Sequence, residues 1–182
     1  MVSVPTAEDS AAHVKSFYAA HGTVIVIAQA IGAIALIPLV MFARALDRRA
    51  RASGDAGRSW IMPAAVLAVI AEIVTNVVPV VIVMLSNAGS AHTLTKVEDV
   101  ADVFLFVALA TFTVAVSRNQ VRWLVAVGWA SAGLMIVHAA LSLFEVSALQ
   151  AVAPLSFVVF VVLVGIRVLV QPIPEPEVAA AV

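Results

Sequence analysis

Cysteine is absent from this 182-residue chain, which excludes disulfides, thiol nucleophiles and thiolate metal sites. Charge is scarce: 12% of residues are Asp, Glu, Lys or Arg, against about 25% in ordinary soluble domains. Lysine is rarer still, with Lys15 and Lys96 the only two. The net charge of −1 implies no nucleic-acid partner. No basic leader precedes the first apolar run, and Glu8 and Asp9 stand there instead, so a cleaved signal peptide is not expected. Lipidation is not expected either, because Val2 stands where myristoylation needs glycine and there is no cysteine to acylate.

What is abundant is apolar. Hydrophobic residues make up 63% of the chain, and the mean hydropathy is +1.11. A water-soluble domain of this size is mostly surface and has no core large enough to hide so much apolar area. Lipid removes that limit. A membrane-spanning helix needs about 20 apolar residues, with about 17 to 25 tolerated, and five runs qualify: 23–46, 60–85, 100–116, 122–144 and 149–170. None alternates with period two, and backbone amides in lipid must be satisfied within the segment. The expected fold is therefore all-α, a polytopic bundle of five transmembrane helices. Val favours strands in water, but the hydrogen-bonding constraint in hydrocarbon outweighs that preference.

The remaining segments have loop composition. Asp47 to Ser59 is basic and contains Gly54 and Gly57, and Ser86 to Glu98 opens on Ser-Asn-Ala-Gly-Ser. Links at 117–120 and 145–148 are short enough to make the third, fourth and fifth helices antiparallel neighbours. The tail from Gln171 holds Pro-Ile-Pro-Glu-Pro-Glu and is expected to be extended or disordered and cytoplasmic. At the other end, Thr6 and Asp9 resemble a capping box. A short surface helix over 7–20 is expected there, with Phe17 and Tyr18 at headgroup level.

Orientation follows from the basic residues. Eight arginines (44, 48, 49, 51, 58, 118, 122 and 167) lie on one side, and the two lysines lie on the other. Positive charge in short loops stays cytoplasmic, which places the N-terminus outside and the C-terminus inside. Trp60 and Trp123 fall at the same inner interface. The Asp47 to Arg51 cluster reads as a topology determinant that meets anionic lipid.

The hydrophilic residues inside the runs carry the functional information. Glu72 follows Trp60 by twelve residues, about 18 Å along a helix, near the middle of a hydrocarbon core about 30 Å thick. An acidic side chain facing lipid there costs at least about 2.5 kcal/mol, so Glu72 is expected to face the bundle. Thr75 and Asn76 share its helix face, Pro79 frees a carbonyl one turn on, and Ala65 and Ala68 continue the stripe. The fourth run has a second stripe: Gly128, Ser131, Met135, His138, Ser142 and Glu145. In the first run Gln29 lies beside the small pair Ala28 and Gly32. Gln29, Asn76, Asp102, His138, Ser142 and Ser156 would all fall in the outer half, with Glu72 as the floor and His21, His92, Asp99 and Glu145 as the rim.

The candidate ligand-binding set is therefore Gln29, Glu72, Asn76, His138 and Ser142, around a polar cleft open to the outside. Glu72 with Asn76 reads equally as a hydrogen-bonded pair holding helices together, and His138 as an interhelical hydrogen bond. No His-x-x-x-His or His-Glu-x-x-His spacing occurs, so no metal site is expected. A bis-histidine haem needs two facing histidines inside the bilayer, and only His138 qualifies, so no cofactor is expected. No nucleophile elbow is formed around Ser131, and no catalytic residue is assigned.

Phe17-Tyr18 with His21-Gly22, the Arg-rich first inner loop, and Arg122-Trp123-Leu124 with Gly128-Trp129 together resemble a group of small five-span membrane proteins of actinobacteria. The resemblance covers most of the chain. It implies a bacterial plasma membrane and carries no activity with it. Three functions remain open. The first is binding or transport of a proton, cation or small amphiphile at Glu72, and transport would imply a homodimer. The second is an accessory subunit of a larger membrane complex. The third is an intramembrane enzyme on a lipid or isoprenoid, with Glu72 as acid and His138 as base.

Overall fold

A computed structural model of the chain describes residues 5, 9–52, 60–85, 87–118, 120–144 and 149–170. Among them are five helices and no strand: α1 (Ala11–Ala52), α2 (Ile61–Met84), α3 (Ala88–Ser117), α4 (Arg122–Ser142) and α5 (Val152–Val170). All five are long and apolar enough to cross a membrane. The capping box at Thr6, Arg58, the rim position Glu145 and the tail from Gln171 lie outside the described residues.

Two helices are longer than their apolar runs. α1 has 42 residues, about 63 Å at the standard rise, so the expected surface helix and the first span are one continuous rod. α3 begins at Ala88 rather than near Val100. The Asn87 side chain accepts from the backbone N–H of Gly89 (2.8 Å) and Ser90 (3.3 Å), capping two donors that would otherwise be unsatisfied. Asn87-Ala88-Gly89-Ser90, which reads as loop, is thus a helix start.

The packing clusters fix the topology. At one end the last turns of α1 (Ala43, Leu46, Ala50) meet the first of α2 (Ile61, Ala64, Ala65), the last of α3 (Phe112, Val116), the first of α4 (Leu124), and Phe160 and Val164 of α5. At the opposite end Val14 and Tyr18 of α1 meet Val78 and Ile82 of α2 and Ala91 of α3. Consecutive helices therefore run antiparallel. α3 is central, packing on α1, α2, α4 and α5. α2 is flanked by α1 and α3, and α4 by α3 and α5.

Small residues allow the close contacts. Ala68 and Ala71 of α2 pack on Leu105 and Ala108 of α3. Gly128 of α4 faces Ser117 Oγ and Phe160, leaving no room for a Cβ. The opposite faces carry Leu67, Ile70 and Val77 on α2 and Ile136 and Val137 on α4, all exposed. That is the inside-out pattern expected when lipid is the solvent. Arg122, Arg118, Arg167 and the arginines of the α1 C-terminal turns all belong to one end of the bundle, called here the arginine end.

Candidate functional site

Glu72 is half-buried on α2, one turn from the alanine face that seats α3. Asn76, buried on the next turn, donates from Nδ2 to the Glu72 backbone oxygen (2.6 Å) and to Glu72 Oε1 (2.9 Å). Thr75 Oγ1 donates to the same backbone oxygen at 3.0 Å. Pro79 has no N–H for the Thr75 carbonyl, which loosens the helix ladder beside this knot. From the other side α1 comes so close that a Cβ on Gly32 would overlap Asn76 Oδ1. Gln29 is half-buried one turn away on the Gly32 face of α1. Of the expected set, Glu72 and Asn76 are joined by hydrogen bonds and meet α1 at Gly32, while Gln29 has no hydrogen bond to either among the described residues.

α3 adds a further carboxylate. Asp102 is half-buried, and its carboxyl is within electrostatic range of both Glu72 and Asp99. It lies one turn before Leu105, which packs on the α2 alanine face. Four residues earlier on α3, Glu98 Oε2 accepts from the hydroxyl of buried Tyr18 at 3.1 Å. Tyr18 is therefore an interhelical tie. Its position alone suggests a headgroup anchor, and a contact across 80 residues leaves no local spacing to reveal it. Together Glu98, Asp99, Asp102 and Glu72 step from the Tyr18 end toward the bilayer midplane.

His138 and Ser142 belong elsewhere. His138 is buried on α4, with its ring edge-on to Phe106 of α3 at 4.3 Å between centroids. Its surroundings are the α3–α4–α5 cluster of Phe106, Ala110, Met135, Ala139 and Ala153. On α3, Phe106 and Ala110 face α4 while Leu105 and Ala108 face α2, so α3 stands between His138 and Glu72. Ser142 Oγ donates to the His138 carbonyl at 3.0 Å, a bond within its own helix. His138 Nδ1 is buried without a hydrogen-bond partner, so the interhelical hydrogen bond expected of it is not formed through that atom. The polar link between α4 and α5 is Ser131 to Ser156, 3.0 Å between hydroxyls. The two polar stripes therefore serve two different interfaces.

No group of three or more His, Asp or Glu side chains among the described residues is placed to hold a metal ion. A shallow groove over His21, Gly22, Thr23 and Val83 opens between α1 and the end of α2, on the Tyr18 side of Glu72. Compared with known proteins, the chain matches no family model, no curated protein and no solved structure.

Proposed function

We propose that this is a multi-pass protein of a bacterial plasma membrane, N-terminus outside. It would bind a proton or a small cation between Glu72 and Asp102, reached from the outer end. The observation that carries this reading is the placement of two half-buried carboxylates at the α2–α3 contact, Glu72 one turn after Ala68 and Asp102 one turn before Leu105, which pack together, inside helices long and apolar enough to span the bilayer. Two carboxylates in a poorly solvated site repel when both are ionised, and a shared proton or bound cation relieves that repulsion. Asn76 holds the Glu72 carboxylate in place through Oε1, and Glu98 and Asp99 supply the acidic approach. Intramembrane ionisable groups mark ion and proton pathways by default.

The test is Glu72→Gln and Asp102→Asn in purified protein returned to vesicles, with a pH-sensitive dye inside and cation gradients imposed. Proton- or cation-dependent flux, or the carboxyl infrared band that reports protonation, changes in both variants while expression stays normal. Both signals unchanged in both variants would end this reading.

A second reading, an accessory subunit of a larger complex, is favoured by one observation. No residue in the most apolar 18-residue window of α1 is buried within the bundle, which leaves that face open to a partner helix. Purification in mild detergent separates the two: a single monodisperse species counts against the accessory role. The enzyme reading loses support, because α3 lies between Glu72 and His138.

A further inference from the structure

The arginines divide into two groups. Three are used inside the fold: Arg49 donates to the Val168 carbonyl at the end of α5 (3.0 Å), Arg51 pairs with Asp47 (2.7 Å), and Arg167 donates to Gln120 Oε1 in the α3–α4 turn (2.9 Å). Four others, Arg44 and Arg48 on α1 and Arg118 and Arg122 flanking the α3–α4 turn, are exposed. No guanidinium of these four has a hydrogen-bond or ion-pair partner among the described residues. Each set of two is four residues apart, one helical turn or one tight link. The described residues of this end hold a single carboxylate, Asp47, which Arg51 already occupies.

Indoles stand beside one set of these guanidinium groups. Trp60 and Trp123 are both exposed at the same end, and indole rings settle at the headgroup level. Arg122 adjoins Trp123, and Arg118 lies one turn of chain away. An indole at headgroup level would bring the charges of Arg118 and Arg122 within reach of lipid phosphates.

We propose that Arg44, Arg48, Arg118 and Arg122 form a docking surface for the phosphate of an anionic phospholipid. Charge complementarity selects this occupant: four guanidinium groups without a partner among the described residues, at the end of the bundle that carries exposed Trp60 and Trp123, each able to take a phosphate through two parallel N–H donors. The nearest rival is the chain's own tail, which carries Glu175 and Glu177.

The test uses the full chain in detergent micelles supplied with equal phosphatidylglycerol and phosphatidylcholine, with retained lipid counted by native mass spectrometry. The wild type keeps phosphatidylglycerol preferentially, by roughly fivefold for each arginine engaged, and high salt weakens the preference. Arg44→Gln/Arg48→Gln/Arg118→Gln/Arg122→Gln loses it, with unfolding in phosphatidylcholine alone unchanged. Should that variant fail to fold, the two paired variants, 44/48 and 118/122, each show a partial loss. Arg49→Gln keeps the preference and unfolds earlier in either lipid. The proposal is overturned if the wild type shows no preference or if both paired variants keep it in full. It is also overturned if glycerol phosphate in solution displaces the lipid, or if the preference appears only in Glu175→Gln/Glu177→Gln.

Discussion

Two glycines on α4 separate packing from backbone effects. A Cβ on Gly128 would collide with Ser117 Oγ and lie 2.9 Å from Phe160 Cε2, while one on Gly133 meets nothing within 4 Å. Both changes to alanine carry the same helix-propensity gain, about 1 kcal/mol at most. Gly128→Ala is therefore expected to destabilise by about 1–3 kcal/mol through overpacking. Gly133→Ala should be neutral to slightly stabilising. Denaturant unfolding of the two variants in the same detergent checks the difference; equal midpoints would mean that α4 does not sit against Ser117 and Phe160.

Tyr18 tests the second residue-scale contact. Tyr18→Phe keeps the ring that packs on Val78, Ile82 and Ala91 and removes only the donor to Glu98. A loss of about 1 kcal/mol is expected, measured in the same unfolding series. At this scale the sequence was partly legible. The α4 stripe of Gly128, Ser131, Met135 and His138 is buried as its spacing implies, and Glu72 bonds Asn76 one turn away. Which neighbour each stripe faces was not legible, because a three-and-four spacing gives a face without naming what lies across it. Glu72 and Asn76 therefore meet α1 at Gly32, while His138 and Ser142 serve another interface.

Among the helices, α1 and α3 show where hydropathy stops being a guide. It locates the stretch in lipid, but a helix continues for as long as its backbone bonds are satisfied and its side chains find contacts. Val14 and Tyr18 extend α1 by packing on α2 and α3, although the residues between them include Lys15 and Ser16. Asn87 extends α3 through a polar segment by capping it. Asn87→Ala removes that cap and should cost about 1 kcal/mol, concentrated in the first turns of α3. Hydrogen exchange at residues 88–94 then speeds up while 104–116 is unchanged. A uniform change along the whole helix, or none, would contradict the cap.

For the whole molecule, the five spans were legible from composition alone, because lipid tolerates apolar surface that water does not. The lateral order was not, since five greasy helices of similar length can be arranged in many ways. α3 becomes the hub because two of its faces are lined with small or buried residues, Ala101, Leu105 and Ala108 on one and Phe106, Ala110 and Thr113 on the other. α1 leans on the bundle through Gly22 against Val83, through Gly32 against Asn76, and through the clusters at its two ends. The polar residues follow the same logic: a carboxylate in hydrocarbon is tolerated only when it turns toward other helices, and Glu72 does so between α1 and α3.

The absence of cysteine makes one measurement especially clean, since any introduced thiol carries the only label. Nitroxide probes at Ile70→Cys and Arg48→Cys, in protein returned to vesicles, report their surroundings through collisions with oxygen, which concentrates in lipid, and with a water-soluble nickel chelate. Lipid as the solvent of α2 predicts an oxygen-rich, nickel-poor probe at 70 and a nickel-accessible probe at 48. A probe at 70 that meets nickel as freely as the one at 48 would contradict the membrane-spanning bundle and, with it, the placement of Glu72 inside the bilayer.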